Sequence, residues 1–227
     1  MRTYLDPTAP VAPDALLVDD PKTAMDLAVA ITESPRMSNL AHGLWGYHGT
    51  TRDGTELTIQ SLGIGGPSAA AIMADLAKLG VSRAIRVGSC IAQDGGMERG
   101  SSLVATGFEP GDGASVALSG GEPLEPDAGL TEALIHAAGA PATGKVRSVD
   151  VLDDATEAMG DAVTLDLSSA AFAAAGAKGG ISCACALVVA GQQGGPALER
   201  ETLEEALIGL GTRAAAALGA VPQASGS

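Results

Sequence analysis

The sequence predicts an α/β protein with one mixed or mostly parallel sheet that helices cover on both faces. Short apolar runs of strand length alternate with longer helical patterns along the chain. Glycine or proline separates most of these segments. The 227 residues show neither an internal repeat nor a linker, so residues 1–227 are expected to form a single domain.

The predicted elements begin and end at residues suited to those positions. Pro21 opens the first helix, where the N–H that proline lacks would have no helical partner, and Gly80 ends the second helix as a C-cap. The strands are predicted at residues 15–18, 57–62, 83–87, 102–106, 145–149, 163–165 and 180–189. The helices are predicted at residues 21–33, 67–79, 130–138, 154–159, 168–175 and 197–218. Residues 109–127 lack apolar periodicity and are expected to form an exposed, mobile loop.

The charge balance argues against polyanionic partners. The chain has 27 Asp and Glu residues against 13 Lys and Arg, a formal net charge of −14, which repels nucleic acid and anionic membranes. An anion site would have to be built locally, from a few arginines and backbone N–H groups. We find no run of 18 apolar residues and no signal-peptide pattern, so a cytoplasmic protein without a membrane partner is expected.

The three cysteines predict neither disulfides nor a metal site. Cys90, Cys183 and Cys185 are too few and too oddly spaced for a disulfide framework, and we expect them to be reduced. No histidine or second cysteine pair lies near Cys183 and Cys185 in the sequence. Packing in the core is therefore the expected role of these side chains, and no metal is predicted.

A glycine-rich stretch, SLGIGGPSAAA at residues 61–71, joins a predicted strand to a predicted helix. Free N–H groups and the helix dipole make such a junction suited to an anion. The glycines are equally suited to a tight turn that binds nothing. The loop alone leaves both interpretations open, because its spacing fits neither the dinucleotide fingerprint nor the P-loop.

A second stretch, AIRVGSC at residues 84–90, favours the anion. It places Arg86 inside a strand of buried type, two residues before Gly88 and three before Ser89. A buried arginine is costly unless it is paired. Arg86 is therefore expected to meet either a protein carboxylate or a bound anion.

At these two motifs the sequence resembles the nucleoside phosphorylase family, of the hexameric type that includes uridine phosphorylases and bacterial purine nucleoside phosphorylases. The specific part of the resemblance is GIGGPSAA followed by LAKLGVSRAIRVGSC. Weaker similarity extends along LLVDDP, GLWGYHGTTRDG, SLVATGFEPGDGAS, TLDLSSAAFAAAGAKGG and ALVVAGQQ. The resemblance implies a three-layer α/β/α sandwich with a twisted, mixed, partly barrel-like sheet. It also implies a homo-oligomer, a dimer or hexamer, whose subunits share active sites.

The resemblance also implies roles for individual residues. Phosphate binding falls to Arg86, Ser89, Gly65 and Gly66, and ribose binding to Asp166 and Ser168. The expected ligand is a nucleoside-like small molecule, with phosphate as co-substrate and no cofactor. No catalytic residue is assigned, because residues 187–191, which match the family's catalytic position, carry no ionisable side chain.

The first phosphate loop departs from the family pattern. Asp19 stands in place of a glycine, and Thr23 in place of an arginine for which Lys22 is a partial substitute. The arginine that a neighbouring subunit contributes falls at His42 or Gly43. Arg86 is the one cationic phosphate ligand that clearly matches.

Three functions stay open on the sequence. By resemblance the chain is phosphorylase-like, cleaving the N-glycosidic bond of a ribonucleoside with phosphate or water. The alternatives are a catalytically impaired binding protein or pseudoenzyme, and an enzyme with a different reaction in the inherited pocket. Asp19 discriminates between them, because a carboxylate paired with Arg86 would fill the phosphate site.

Overall fold

The computed structural model describes residues 4–92, 96–139, 141–152 and 160–222. The strands are β1 (Asp14–Val18), β2 (Thr32–Asn39), β3 (Gly46–Thr51), β4 (Glu56–Ser61), β5 (Arg83–Ala92), β6 (Ser102–Gly111), β7 (Ala142–Val149), β8 (Thr164–Asp166) and β9 (Ser182–Gln192). The helices are α1 (Pro21–Ile31), α2 (Gly66–Lys78), α3 (Gly113–Ser119), α4 (Ala128–Ala138), α5 (Ser169–Gly179) and α6 (Arg200–Ala220).

All these strands belong to one mixed sheet, in the order β2-β3-β4-β1-β5-β8-β7-β6-β9. The sheet closes on itself because β5 also pairs with β9, in parallel. Strands β5, β8, β7, β6 and β9 therefore form a five-stranded barrel, from which β1, β4, β3 and β2 extend as an open sheet. This arrangement confirms the predicted α/β class and the partly barrel-like sheet.

Helices cover the sheet on both faces, as predicted. Alternate residues of β5 point to opposite sides: Ala84 lies in the hydrophobic cluster beneath α2 and α5, while Ile85 and Val87 lie in the cluster beneath α1, α4 and α6. Cys90, Cys183 and Cys185 are free and buried, which confirms their packing in the core. In the described parts of the chain, no helix is both long and apolar enough to cross a membrane.

Strand β2 was absent from the sequence-based prediction, which continued the first helix to residue 33. The helix ends at Ile31, and β2 begins at Thr32. This strand lies at the edge of the sheet and pairs only with β3. Its side chains are largely exposed and do not alternate between apolar and polar, so backbone pairing defines it and the sequence pattern does not.

The prediction of a loop over residues 109–127 is wrong for its first half. Strand β6 continues to Gly111, and helix α3 follows, capped by the Asp112 carboxylate, which accepts hydrogen bonds from the N–H groups of Ala114 and Ser115. An acidic N-cap and a following Gly120 in the left-handed conformation are recognisable helix signals. In the sequence-based prediction, the high glycine and proline content of residues 109–127 outweighs these two signals. The helix predicted at residues 154–159 lies outside the described residues.

The core beneath α5 provides a test of this packing. Phe172 is fully buried there, so we expect Phe172→Ala to lower the free energy of unfolding by about 3–5 kcal/mol. Urea denaturation measures the loss. Val29→Ala, on the exposed side of α1, is the control and should change stability by no more than about 0.5 kcal/mol. A loss below about 1 kcal/mol for Phe172→Ala would contradict its buried position.

Candidate active site

A cavity of about 680 Å³ lies beyond the carboxyl ends of the parallel strands β1 and β5. The first turn of α1, the loop before α2, the start of α5 and the first turns of α6 complete its wall. Ligands of open α/β sheets bind at such strand ends, and small-molecule sites measure about 300–1,000 Å³. Both the position and the size of this cavity suit a small-molecule ligand.

Arg86 extends from β5 into the inner end of the cavity and is 1% exposed. Its Nη1 donates to Asp166 Oδ2 at 3.0 Å and to Ser169 Oγ at 2.8 Å. Its Nη2 donates to both carboxylate oxygens of Asp19, at 3.0 and 2.8 Å. Of the two partners that the sequence allowed, a protein carboxylate or a bound anion, the structure supplies two carboxylates.

Gly88 is glycine because of the path of this arginine. The Arg86 side chain folds back along its own strand, and a Cβ built on Gly88 would lie 2.6 Å from Nη2 of Arg86. Asp166 and Asp19 hold the guanidinium in this position from both sides. A side chain at position 88 would therefore displace the ion pairs.

Asp166 is committed to contacts within the protein. Its Oδ1 accepts from Ser148 Oγ at 2.6 Å, and its Oδ2 accepts from Ser169 Oγ at 2.6 Å. The backbone N–H groups of Ser168 and Ser169 donate to the same carboxylate. Asp166 is 2% exposed, so it orients Arg86. Its predicted contact with a ribose stays a prediction, as does that of Ser168, which lines the cavity.

Asp19 is the more accessible of the two acids. Strand pairing places Leu17 opposite Arg86, so Asp19, two residues later, leaves the sheet beside the guanidinium. Its side chain is 30% exposed. Burial raises the pKa of Asp19. The positive charge of Arg86 acts in the opposite direction, and the nearby Asp166 carboxylate raises the pKa further. Burial alone would lower the pKa of Arg86, but the two carboxylates outweigh it and the pKa is raised, so Arg86 stays cationic.

The glycine-rich loop contributes part of the wall. Gly63 and Gly65 line the cavity and have φ values of 75° and 84°, which favour glycine. Gly66, the first residue of α2, lies instead against Asp112, and a Cβ on it would be 2.1 Å from Asp112 Oδ1. The Asp112 carboxylate accepts its hydrogen bonds from the N–H groups of Ala114 and Ser115 in α3, so the predicted phosphate contact of Gly66 stays a prediction. Ser89, the other predicted phosphate ligand, lines the cavity.

The outer wall is largely apolar, with a charged rim. The apolar lining comprises Val18, Ile64, Val87, Cys90, Ile91, Leu152, Leu165, Leu167, Leu203 and Leu207. At the rim, Glu204 on α6 accepts from Arg200 at 2.7 Å and from Lys22 at 2.9 Å. Lys22 also pairs with Asp26 at 2.7 Å. This lysine, the expected partial substitute for a phosphate-binding arginine, is therefore engaged at the rim.

Sequence reasoning missed the supporting serines and the α6 wall. A signal for Ser169 existed, since two serines directly after Asp166 are typical of a helix start. Nothing in the sequence indicated Ser148 or the α6 residues, which are distant along the chain. His42 packs its ring edge-to-face against Tyr4 and is absent from the described cavity lining. Among the described residues, no group of three or more His, Cys, Asp and Glu side chains is arranged to hold a metal ion.

Comparison with known proteins gives two relatives, although no protein-family model matches the chain. The chain is 42% identical over 87 residues to a guanosine phosphorylase of Halorubrum lacusprofundi, a match that covers 38% of this chain and 36% of the relative. It is 35% identical over 81 residues to a DeoD-type purine nucleoside phosphorylase of Oceanobacillus iheyensis, covering 35% of this chain and 34% of the relative. Each match thus spans about a third of the relative. These similarities confirm the resemblance, and over the matched segments the chain is related to the nucleoside phosphorylase family.

Proposed function

We propose that this chain is a nucleoside phosphorylase-like protein whose cavity binds a nucleoside-like ligand, and in which Asp19 takes the place of phosphate and suppresses phosphorolysis. One observation carries the proposal: both Asp19 oxygens lie within 3.0 Å of Nη2 of Arg86. Arg86 is the residue to which the resemblance assigns phosphate. A phosphate reaching it would have to displace a carboxylate from a buried guanidinium.

The magnitudes favour the carboxylate. Two like unit charges about 4 Å apart repel by about 4 kcal/mol at an effective dielectric constant of about 20. The attraction of a phosphate to the Arg86 guanidinium at that distance is of the same size, and a charge-assisted hydrogen bond returns about 1.5–3 kcal/mol. A phosphate beside Asp19 and Asp166 would experience two such repulsions and share one guanidinium with both acids. The site as arranged therefore disfavours phosphate.

Other features support a nucleoside-like ligand. The cavity combines a leucine-rich wall for an apolar face with the hydroxyl-bearing residues Ser89 and Ser168, a mixture typical of small-molecule sites. The two relatives are named as phosphorylases of purine nucleosides and of guanosine. Binding of an uncharged nucleoside needs no anion site, so it is compatible with the Asp19–Arg86 pair.

An active phosphorylase is the second candidate. It is favoured by the convergence of Arg86, Ser89 and Gly65 on one cavity, as the resemblance implies. It requires Asp19 to leave Arg86 when phosphate binds. We expect a homo-oligomer under either candidate function, because the resemblance implies active sites that are shared between subunits.

The two candidates are separated by incubating the protein with purine and pyrimidine nucleosides, with and without phosphate, and quantifying the free base. We expect negligible phosphate-dependent release from the unaltered protein, because Arg86 is occupied. Asp19→Gly, which restores the residue typical of the family, should increase that release. Strong phosphate-dependent release by the unaltered protein that Asp19→Gly does not increase would overturn the proposal.

Phosphate binding itself is measured by thermal melting. Millimolar phosphate should leave the melting temperature of the unaltered protein unchanged and raise that of Asp19→Gly, because a ligand that binds only the native state stabilises it. Glu56→Gln removes one negative charge at an exposed position of β4 and should behave like the unaltered protein. A phosphate-induced rise in the unaltered protein would show that the anion site is open.

The raised pKa of Asp19 predicts a pH dependence. Above the unfolded value near 3.8, the native state binds more protons than the unfolded state until the pH passes the folded pKa, so stability falls as pH rises through that window. Asp19→Asn removes this titration. The unfolding free energy of Asp19→Asn minus that of the unaltered protein, measured by urea denaturation, should therefore be more positive at pH 8 than at pH 4. A difference that becomes more negative with rising pH would refute this assignment.

A further inference from the structure

We infer that the cavity selects a ligand carrying a positively charged group, seated against Asp19 where the relatives' family seats phosphate. The inference rests on the proposed function only in treating the cavity as a small-molecule site. It goes further by naming the charge class of the ligand. Three features support this ligand class: the charges around the cavity, the free acceptor sites of Asp19 and an unpaired donor on Arg86.

The inner end of the cavity has more acids than bases. Asp19 and Asp166 lie there with a single cation, Arg86, which leaves one negative charge uncompensated. Asp20 also lines the cavity, but it is exposed and caps α1 by accepting from the N–H of Thr23 at 3.0 Å, so solvent and the helix dipole offset its charge. The remaining excess lies at Asp19 and Asp166, which share one guanidinium.

The cations of the rim cannot offset this excess. Arg200 and Lys22 both pair with Glu204, and Lys22 also pairs with Asp26. Two acids and two bases make this rim cluster neutral by itself. Arg200 acts electrostatically on Asp20, whereas Arg86 is the one ion-pair partner of Asp19 and Asp166 among the described residues.

Asp19 is the acid with capacity left for a ligand. Both of its contacts with Arg86 come from the same nitrogen, Nη2, whereas an ionised carboxylate offers about four acceptor sites. Its side chain is 30% exposed, against 1% for Asp166. An ammonium, amidinium or protonated heterocycle at Asp19 would gain a charge-assisted hydrogen bond and balance the inner charge.

Arg86 supplies a second, independent indication of a ligand. Its Nε is buried and has no hydrogen-bond partner among the described residues, and the residue lines the cavity. An unpaired buried donor costs about 1–3 kcal/mol, which an uncharged oxygen or nitrogen acceptor on a ligand would recover if the guanidinium shifts to expose Nε, since this atom is closed off in the structure. The geometry thus suits a molecule with a cationic donor beside a neutral acceptor, next to an apolar part for the leucine wall.

Three small probes of the same shape test the charge preference without assuming a nucleoside: benzylamine, benzyl alcohol and benzoate. Their dissociation constants are measured by NMR titration at neutral pH and low salt. We expect benzylamine to bind about tenfold more tightly than benzyl alcohol or better, and benzoate to be the weakest. Asp19→Asn should reduce the preference for the amine to about threefold or less, while Glu56→Gln, the matched loss of one exposed charge, should preserve it.

Several results would overturn the inference. The first is that benzoate binds as tightly as benzylamine, and the second is that the preference for the amine persists in Asp19→Asn. The third is that none of the probes binds at the highest concentration tested. Asp19→Ser serves as the second variant if Asp19→Asn does not melt cooperatively. A clear amine preference in a protein that binds no nucleoside would refute the nucleoside part of the proposed function and leave the charge inference intact.

Discussion

The buried guanidinium of Arg86 is the constraint on which the rest of the site depends. A cation that is 1% exposed is tolerated only when acids pair with it and hydrogen bonds satisfy those acids. Asp19 and Asp166 supply the charge, and Ser148 and Ser169 fix the second of these acids. Gly88 supplies the space. The closed barrel brings together the residues from β5, β7, β8 and the start of α5, while Asp19 follows β1, which pairs with β5 in the open part of the sheet.

The pairing of Arg86 with acids also means that the backbone geometry of the site and its charge suit different ligands. Strand ends, a glycine-rich loop and an arginine on β5 provide the geometry of an anion site. The Asp19 carboxylate then pairs with that arginine, and Asp112 packs against the first residue of α2 while it caps α3. Because the whole chain is acidic, no long-range field compensates for this. The cavity has an apolar wall and an excess of negative charge at its inner end.

The cavity also depends on contacts between distant segments. Helix α6 begins more than a hundred residues after Arg86, yet its residues Leu203 and Leu207 form part of the outer wall. Glu204 joins this wall to α1 through Lys22. The wall is therefore a product of the packing of α6 across β5 and α1, while the inner end is a product of strand register.

The sequence by itself determined the α/β class, the helices on both faces, the glycine turn and the need of Arg86 for a negative partner. These follow from local periodicity, from residue conformational preferences and from the cost of burying a charge, all of which are present in a short segment. Only the tertiary structure decided which partner Arg86 has, that Gly66 packs on Asp112 and that Lys22 pairs at the rim. The tertiary structure likewise determined the edge strand β2, the closure of the barrel and the part of the cavity wall that α6 forms. Each depends on pairing between segments far apart in the chain, where backbone hydrogen bonds and charge neutralisation leave no local pattern.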